Sequence, residues 1–363
     1  MDPRPSRVAD RLWSVGATTL KTLGTVLLFL FAVQLLGAAT EASAPVLGRV
    51  LRRVVVGDAS ALGFGWLGAY LLANGSVVAA LALSLFDAGI VSVPQLYLMI
   101  AGSRLGAAAI VVFIGALDWL GKERYSLRES VSMGMLAFLL THTVYVPVTA
   151  AGYLALPSLG GVFGASTGVL VGLRSPGFFE PVTDAVTTAI GPLPSFVLAV
   201  AVLFGSLKLF DRILADVDTS TLRRRFFSHL RNTWLSFAIG LLVTGVTTSV
   251  AFSLGVIVPL YNRGYVEREE LIPYVLGANL GTLLDTLLVA VVLESASGVA
   301  VVLLLLGIAT LVTLAALLAH DPYRRFVVAV DERLLAERRA FAAVVLALLL
   351  VPLLLVAVPL LAG

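Results

Sequence analysis

The sequence predicts an all-α, polytopic membrane protein built from two related halves. Hydrophobic residues make up 59% of the chain and charged residues only 13%, with a mean hydropathy of +1.00. Soluble domains carry about 25% charged residues, so this composition excludes an ordinary soluble fold. The apolar runs are much longer than the roughly 9–11 residues of a membrane β-strand. Because a span must satisfy its backbone groups internally, these runs are predicted to be helices.

Two matching segments indicate that the chain contains a duplication. Residues 277–281 read Gly-Ala-Asn-Leu-Gly. Residues 102–106 read Gly-Ser-Arg-Leu-Gly and lie 175 positions earlier. Gly89 and Gly264 are separated by the same offset. The order of apolar runs and polar interruptions also repeats. We therefore predict two copies of one unit, followed by an additional C-terminal span.

The first apolar run follows a basic, proline-containing start. It is long enough to span a membrane, and no small-residue cleavage site precedes a soluble domain, which favours a span over a cleaved signal peptide. The next stretch, Ala44–Val56, carries Arg49, Arg52 and Arg53 on an apolar pattern. Such a pattern predicts a separate helix lying in the membrane interface.

Each copy contains an apolar run that is interrupted by polar residues. The run 61–88 is broken by Ala-Asn-Gly-Ser at 73–76, and each half is too short to cross a membrane alone. The run 234–261 has threonines and a serine at the equivalent place. Irregular backbone at membrane depth is tolerated where it lines a cavity, so a re-entrant helical hairpin or one broken span fits each run.

These elements give a predicted organisation with seven crossings. The first repeat comprises 1–154, with spans at about 20–39, 94–117 and 131–154 and a hairpin at 61–88; residues 155–190 form an external loop. The second repeat comprises 191–320, with spans at about 192–210, 269–292 and 299–319 and a hairpin at 234–261; residues 321–363 form an amphipathic segment and the last span.

The positive-inside rule supports a cytoplasmic N-terminus and a multi-pass location in a plasma membrane. With hairpins that re-enter without crossing, the basic loops fall inside, and only Arg49, Arg52 and Arg53 violate the rule. The same layout gives the two copies opposite orientations. Inverted repeats with paired interrupted helices are the architecture of secondary transporters.

Residues 272–282, Ile-Pro-Tyr-Val-Leu-Gly-Ala-Asn-Leu-Gly-Thr, resemble a helix motif of the sodium-phosphate symporters, the type II Na/Pi cotransporter family and its bacterial relatives. Val258-Pro-Leu260 resembles the second hairpin of that family. The resemblance covers about 20–118 and 192–292 and is that of a divergent prokaryotic member. It implies Na+-dependent phosphate symport by alternating access around a midplane site between the repeats, with no cofactor and with Na+ as the coupling ion.

The chain departs from the family pattern at both hairpin tips. The Gln-Ser-Ser-Ser of the family falls on residues 73–76 and 248–251, which read Ala-Asn-Gly-Ser and Thr-Ser-Val-Ala. Ser103-Arg104 stands where Ala-Asn is usual in the first helix motif. Phosphate is therefore the cargo that the resemblance implies, whereas the residues themselves indicate a small inorganic anion.

Polar residues at the two tips and on the two motif helices are the candidate ligand-binding residues. Unwound backbone and small polar side chains supply oxygens for Na+, and half-helix N-termini present N–H groups to an anion. The alternative is that Ser, Thr and Gly only permit close helix packing. The candidates are Asn74, Gly75, Ser76, Ser103, Arg104, Thr247, Thr248, Ser249, Asn279, Thr282 and Asp285, with Na+ assigned to Ser76, Ser249, Asn279 and Asp285.

Arg104 and Asp285 are the charged members of this set, and both lie within predicted spans. A buried guanidinium must pair with an anionic substrate or with a carboxylate. The two residues are therefore expected either to form an internal salt bridge or to bind the oxyanion and a cation, respectively. In a third interpretation, Arg104 extends along the helix to the membrane interface.

Three functions are compatible with the sequence. The first is cation-coupled transport of a small inorganic anion, and the second is the same transport driven by protons through Asp285. The third is a non-transporting membrane regulator with an eroded site. No catalytic constellation or nucleotide-binding loop is present in the sequence, so an enzyme is not expected. The net charge of +3 is interpreted as basic loops near lipid and not as nucleic-acid binding. The oligomeric state is left open.

Overall fold

A computed structural model describes residues 4–121, 127–159, 178–215, 232–250, 253, 257 and 267–362. Every regular element in these ranges is helical, which confirms the predicted all-α class. The α-helices are α1 (Arg4–Val54), α2 (Asp58–Leu72), α3 (Gly75–Asp87), α4 (Val93–Gly121), α5 (Leu127–Ala155), α6 (Glu180–Ile190), α7 (Pro192–Ala215), α8 (Thr233–Thr247), α9 (Leu271–Gly281), α10 (Leu283–Val292), α11 (Ala296–Leu318), α12 (His320–Ala336) and α13 (Arg338–Ala362).

Seven segments of the described chain are long and apolar enough to cross a membrane, in agreement with the seven predicted crossings. The protein is thus a multi-pass membrane protein. The segments are Thr19–Val54, Val93–Phe113, Met133–Ser158, Pro192–Leu214, Leu271–Val292, Ala296–Leu318 and Arg338–Leu361.

The first span extends beyond its predicted end, so the prediction of a separate interfacial helix at Ala44–Val56 is wrong. Helix α1 continues through Pro45 to Val54 without a break. The polar residues that ended the predicted span are satisfied inside the protein. Thr40 donates a hydrogen bond to the carbonyl of Leu36 at 2.6 Å and accepts one from Ser84 of α3. The three arginines are therefore on the last turns of a spanning helix.

Helix α6 lies inside the stretch 155–190 that was predicted to be a loop. A proline at the start of α6 and the positive φ of Gly191, 86°, mark its two ends. Residues 160–177 of that stretch lie outside the described residues, as do the basic run 222–231 and the motif at 258–260.

The first interrupted run forms two helices that are joined at a tip. Ala73, the residue after α2, has a left-handed φ of 48°, and α3 begins at Gly75 after Asn74 caps its N-terminus. In the second run, Thr248 follows the end of α8 with a φ of 51°, and Val250 is again helical. Ala73 and Thr248 are 175 positions apart. Left-handed non-glycine residues are uncommon, so their recurrence at one offset supports the duplication.

Glycine contacts repeat at the same offset. A Cβ on Gly65 of α2 would lie closer than 3.0 Å to the carbonyl oxygen of Met99 in α4. A Cβ on Gly240 of α8 would lie equally close to the carbonyl oxygen of Tyr274 in α9. Small residues permit this close approach of helix backbones in a membrane. In both copies, therefore, a glycine lets the first arm of the hairpin approach the motif helix closely.

The motif helix of the second copy is interrupted. Residues 269–292 were predicted to form one span, and Leu271–Val292 is one span; within it α9 ends at Gly281 and α10 begins at Leu283, with Thr282 between them. The corresponding helix of the first copy, α4, has no such break.

The last span, α13, packs against α2 of the first copy. Pro352 lacks an N–H group, which leaves the carbonyl of Leu348 without its helical donor. The hydroxyl of Tyr70 in α2 donates to that carbonyl at 2.9 Å. Trp66 in turn donates from its indole nitrogen to the Tyr70 hydroxyl at 2.6 Å. Pro352 of α13 therefore leaves free the carbonyl acceptor to which Tyr70 of α2 is hydrogen-bonded.

We expect the Gly277→Ala variant to be less stable than the wild type. Gly277 faces the carbonyl oxygen of Phe237, and an added Cβ would lie closer than 3.0 Å to it. Overpacking of this kind costs about 1–3 kcal/mol. Thermal unfolding in detergent measures the loss, with Gly307→Ala in α11 as the control because nothing lies within 4 Å of its added Cβ. Equal losses of thermal stability in the two variants would contradict the close contact between Gly277 and the Phe237 carbonyl.

Candidate anion and cation site

A cavity of about 400 Å³ lies between the two hairpin tips. It is also lined by residues of α4, α5, α7 and α9, so both copies contribute to it. Most of the candidate residues identified from the sequence line this cavity. They are Asn74, Gly75, Ser76, Arg104, Thr248, Ser249, Asn279 and Thr282.

The first tip is held in place by its own polar residues. The side-chain oxygen of Asn74 accepts hydrogen bonds from the backbone N–H groups of Ser76 and Val77, at 2.9 and 3.1 Å, which caps α3. Gly75 lies close to α4, because an added Cβ would lie 2.8 Å from the carbonyl oxygen of Ser103. The tip therefore presents the N-terminus of α3, with its partial positive charge, to the cavity.

Arg104 and Asp285 meet across the boundary between the two copies. Arg104 Nη2 lies 3.3 Å from Asp285 Oδ1, and the two side chains are only 6% and 3% exposed. The same nitrogen donates to the hydroxyl of Thr286. Arg104 also lines the cavity, and it does not extend toward the membrane interface. The internal salt bridge that the sequence offered as one alternative is therefore present, and of the two residues Arg104 lines the cavity.

Asp285 lies behind the first tip. Its second carboxylate oxygen accepts a hydrogen bond from the hydroxyl of Ser76, next to the N-terminus of α3. It also lies in the first turn of α10. An arginine and two hydroxyl groups therefore surround this carboxylate.

Two buried donors near the cavity have no hydrogen-bond partner within the described part of the chain. They are Nε of Arg104 and the amide nitrogen Nδ2 of Asn279. Buried donors are almost always paired in folded proteins, and an unpaired one calls for an explanation such as a ligand. Both donors belong to residues that line the same cavity, although neither atom itself is exposed.

The second tip has its own carboxylate. The hydroxyl of Ser249 donates to Asp211 Oδ1 at 2.5 Å, and Asp211 lies in the last turns of α7 with Lys208. All three residues line the cavity. Asp211 and Lys208 were not predicted to belong to the site, because they stand at the end of an apolar run, where charges are usually solvated. Their spacing, three residues apart on one helix face, was the available signal.

Tyr145 and Thr141 of α5 also line the cavity and were not predicted. The Tyr145 hydroxyl donates to the carbonyl of Asn279 at 3.0 Å, and the Thr282 hydroxyl donates to the same carbonyl at 2.6 Å. These bonds satisfy a carbonyl near the interruption between α9 and α10. No local motif marked Tyr145, since its role depends on the packing of α5 against α9.

Three predicted residues do not line the cavity: Asp285, which lies behind the first tip, Ser103 and Thr247. The hydroxyl of Ser103 donates to the carbonyl of Ile100 at 2.7 Å, and that of Thr247 donates to Val243 at 2.6 Å. Both bonds lie within one helix. Such internal bonding is the usual state of Ser and Thr in membrane helices, so these two hydroxyls support the helices on which the tips rest.

One comparison with known proteins gave a match, and the match lies mainly in the second copy. Residues 202–328 match the model of the Na+/Pi-cotransporter family, a range that contains Asp211, Ser249, Asn279 and Asp285. No match was found among the curated proteins or among the solved structures. The second copy of the chain, with the part of the site that it contributes, is therefore similar to the Na+/Pi-cotransporter family.

Proposed function

We propose that this protein is a Na+-coupled phosphate symporter that works by alternating access around the cavity between the two tips. The observation that carries the proposal is the position of Arg104, a buried guanidinium that lines a cavity formed by both copies. The matched family is described as Na+/Pi cotransporters, which supports the choice of ions. The proposal includes a prokaryotic plasma membrane and a cytoplasmic N-terminus, which the distribution of basic loops supports.

Contacts at the ends of the helices support an inverted relation between the copies. Ser295, just after α10, hydrogen-bonds to Asp87 at the end of α3. Helix α4 begins a few residues beyond Asp87, at Val93. The motif helix of the first copy thus starts near the point where that of the second copy ends. Inverted repeats of this kind alternate access by moving one unit against the other.

The anion half of the site is supported by the donors around Arg104. A guanidinium binds phosphate with two parallel hydrogen bonds, which is a geometry that a point charge does not offer. Arg104 Nε and Asn279 Nδ2 are donors that lack a partner among the described residues, and the N-terminus of α3 adds favourable electrostatic potential. A tetrahedral oxyanion has enough oxygens to accept from all of these groups.

The cation half is supported by the oxygen atoms near each tip. Ser76 is bonded to Asp285 at the first tip, and Ser249 is bonded to Asp211 at the second. Hydroxyl and carboxylate oxygens are ligands suited to Na+. A cation bound beside the anion attracts it, and this attraction is the free energy that couples the two ions.

We expect uptake of radiolabelled phosphate into proteoliposomes to require an inward Na+ gradient. The same vesicles with equal Na+ on both sides serve as the control. Absence of gradient-dependent uptake for phosphate would reject the proposal. Uptake driven by a pH gradient and indifferent to Na+ would instead favour proton coupling through Asp285. Failure of both Na+ and phosphate to shift thermal stability would favour the non-transporting regulator.

We expect the Arg104→Lys variant to take up phosphate with a KM raised on the order of tenfold, because lysine keeps the charge but loses the bidentate geometry. The matched control is Arg325→Lys, which makes the same change at an exposed position on α12. Initial rates over a range of phosphate concentrations measure the effect. A wild-type KM in the Arg104→Lys variant would contradict the binding of phosphate by Arg104.

A further inference from the structure

We infer that the C-terminal end of α1 forms part of a binding site for an anionic phospholipid, in which Arg52 binds the lipid phosphate. The site is a cavity of about 330 Å³ between the end of α1, the turn that joins α3 to α4, and the start of α4. It shares no lining residue with the cavity between the hairpin tips. Arg49, Arg52 and Arg53, the three arginines that violate the positive-inside rule, all lie on this end of α1.

The cavity lies at one boundary of the membrane-spanning region. The first span ends at Val54 and the second begins at Val93, and residues near both of these ends line the cavity. Val50 and Val56, at the same end of α1, each expose half or more of their surface. Exposed apolar side chains that alternate with arginines are typical of a helix surface at the level of the lipid head groups.

The cavity combines an apolar wall with two polar side chains. The wall is formed by Leu51, Val55, Val56, Ile90 and Val91, and the polar groups come from Arg52 and Gln95. A free anion would lose water against such a wall without gaining hydrogen bonds from it. A phospholipid instead presents a phosphate and an adjoining apolar region together. The composition of the cavity therefore favours a lipid over a soluble anion.

The guanidinium of Arg52 is directed back along α1 and not past its end. It lies beside Gly48, one turn earlier, where an added Cβ would be 3.3 Å from Nη1 and 3.4 Å from Nη2. An arginine that only reaches for water at a helix end extends beyond that end instead. Within the part of the chain that the structure describes, no hydrogen bond or ion pair engages this guanidinium. Its planar set of donors can therefore bind two oxygens of one phosphate.

The start of α4 adds further donors on the opposite side of the cavity. The side-chain oxygen of Gln95 accepts from the backbone N–H of Ser92 at 2.9 Å, and the Ser92 hydroxyl accepts from the backbone N–H of Gln95 at 3.4 Å. Because the carbonyl oxygen of Gln95 is used in this way, its NH2 group is the part left for a ligand. The positive end of the α4 dipole also favours an anion here.

The charges around the cavity select a lipid with a net negative charge. Arg49 and Arg53 are exposed on the same face of α1 as Arg52, at helical spacings of three and four residues. The next carboxylate along the chain, that of Asp58, accepts a hydrogen bond from Tyr153 of α5. Clusters of arginine beside a span attract anionic lipids. A zwitterionic head group also carries a cation, which these arginines repel.

Thermal unfolding of the purified, full-length protein in detergent tests the inference. Phosphatidylglycerol is titrated in parallel with phosphatidylcholine of the same acyl chains, at constant ionic strength. A ligand that binds only the folded state raises the unfolding temperature as its concentration rises. We expect phosphatidylglycerol to raise the unfolding temperature of the wild type in a saturable way and phosphatidylcholine to leave it unchanged.

Substitutions of Arg52 show whether the effect passes through this cavity. We expect Arg52→Gln to lower the apparent affinity for phosphatidylglycerol on the order of tenfold, because the charge-assisted hydrogen bonds are lost. Arg52→Lys keeps the charge and should lose less affinity. Arg325→Gln makes the same change as Arg52→Gln at an exposed position on α12, outside the cavity, and should respond to the lipid as the wild type does.

Inorganic phosphate, added without lipid, distinguishes a free anion from a lipid head group. A shift of the unfolding temperature by phosphate should be the same in Arg52→Gln as in the wild type, because the proposed transport site lies in the other cavity. A shift that Arg52→Gln abolishes would assign this cavity to the free anion and overturn the inference.

Three outcomes of the lipid titrations would also overturn the inference. The first is an equal rise of the unfolding temperature with the two lipids. The second is a wild-type response of Arg52→Gln to phosphatidylglycerol. The third is an equal loss of affinity in Arg52→Gln and Arg325→Gln, which would mean that the lipid is attracted by surface charge in general. None of these results bears on the proposed transport of phosphate.

Discussion

The buried pair of Arg104 and Asp285 is the interaction on which the centre of this protein depends. Two charges removed from water cost several kcal/mol each, and their mutual attraction offsets this cost only with good geometry and further hydrogen bonds. Ser76 and Thr286 supply those bonds to the carboxylate. Because the arginine comes from one copy and the aspartate from the other, the two halves must meet in one register for either charge to be tolerated.

The fold was largely predictable because its signals are local. Seven apolar runs of sufficient length predict seven spans, and the polar tetrapeptide at 73–76 marks a break that the structure places at Ala73 and Asn74. The end of the first span was missed for the opposite reason. Helix α1 continues because Thr40 finds its partners on its own helix and on α3, a fact that no local pattern contains.

The candidate site was predictable where the two copies could be compared. Asn279 and Arg104 stand out because one offset aligns them, and Asp285 because a carboxylate is rare in an apolar helix. Asp211 and Tyr145 reach the cavity only through the packing of α7 and α5, which a single sequence does not reveal. Ser103 and Thr247 show the converse, since their hydroxyls are polar signals that bond within their own helices.

The last helix gives the duplicated framework an asymmetry that lies outside the cavity. Tyr70 of α2 is tied to the Leu348 carbonyl that Pro352 leaves free, whereas no comparable tie from α13 to α8 occurs within the described residues. A displacement of the first hairpin relative to α13 would have to break this bond, whereas a displacement of the second hairpin would not. If the hairpins move during transport, as the proposed function requires, we expect the first to be held more firmly than the second.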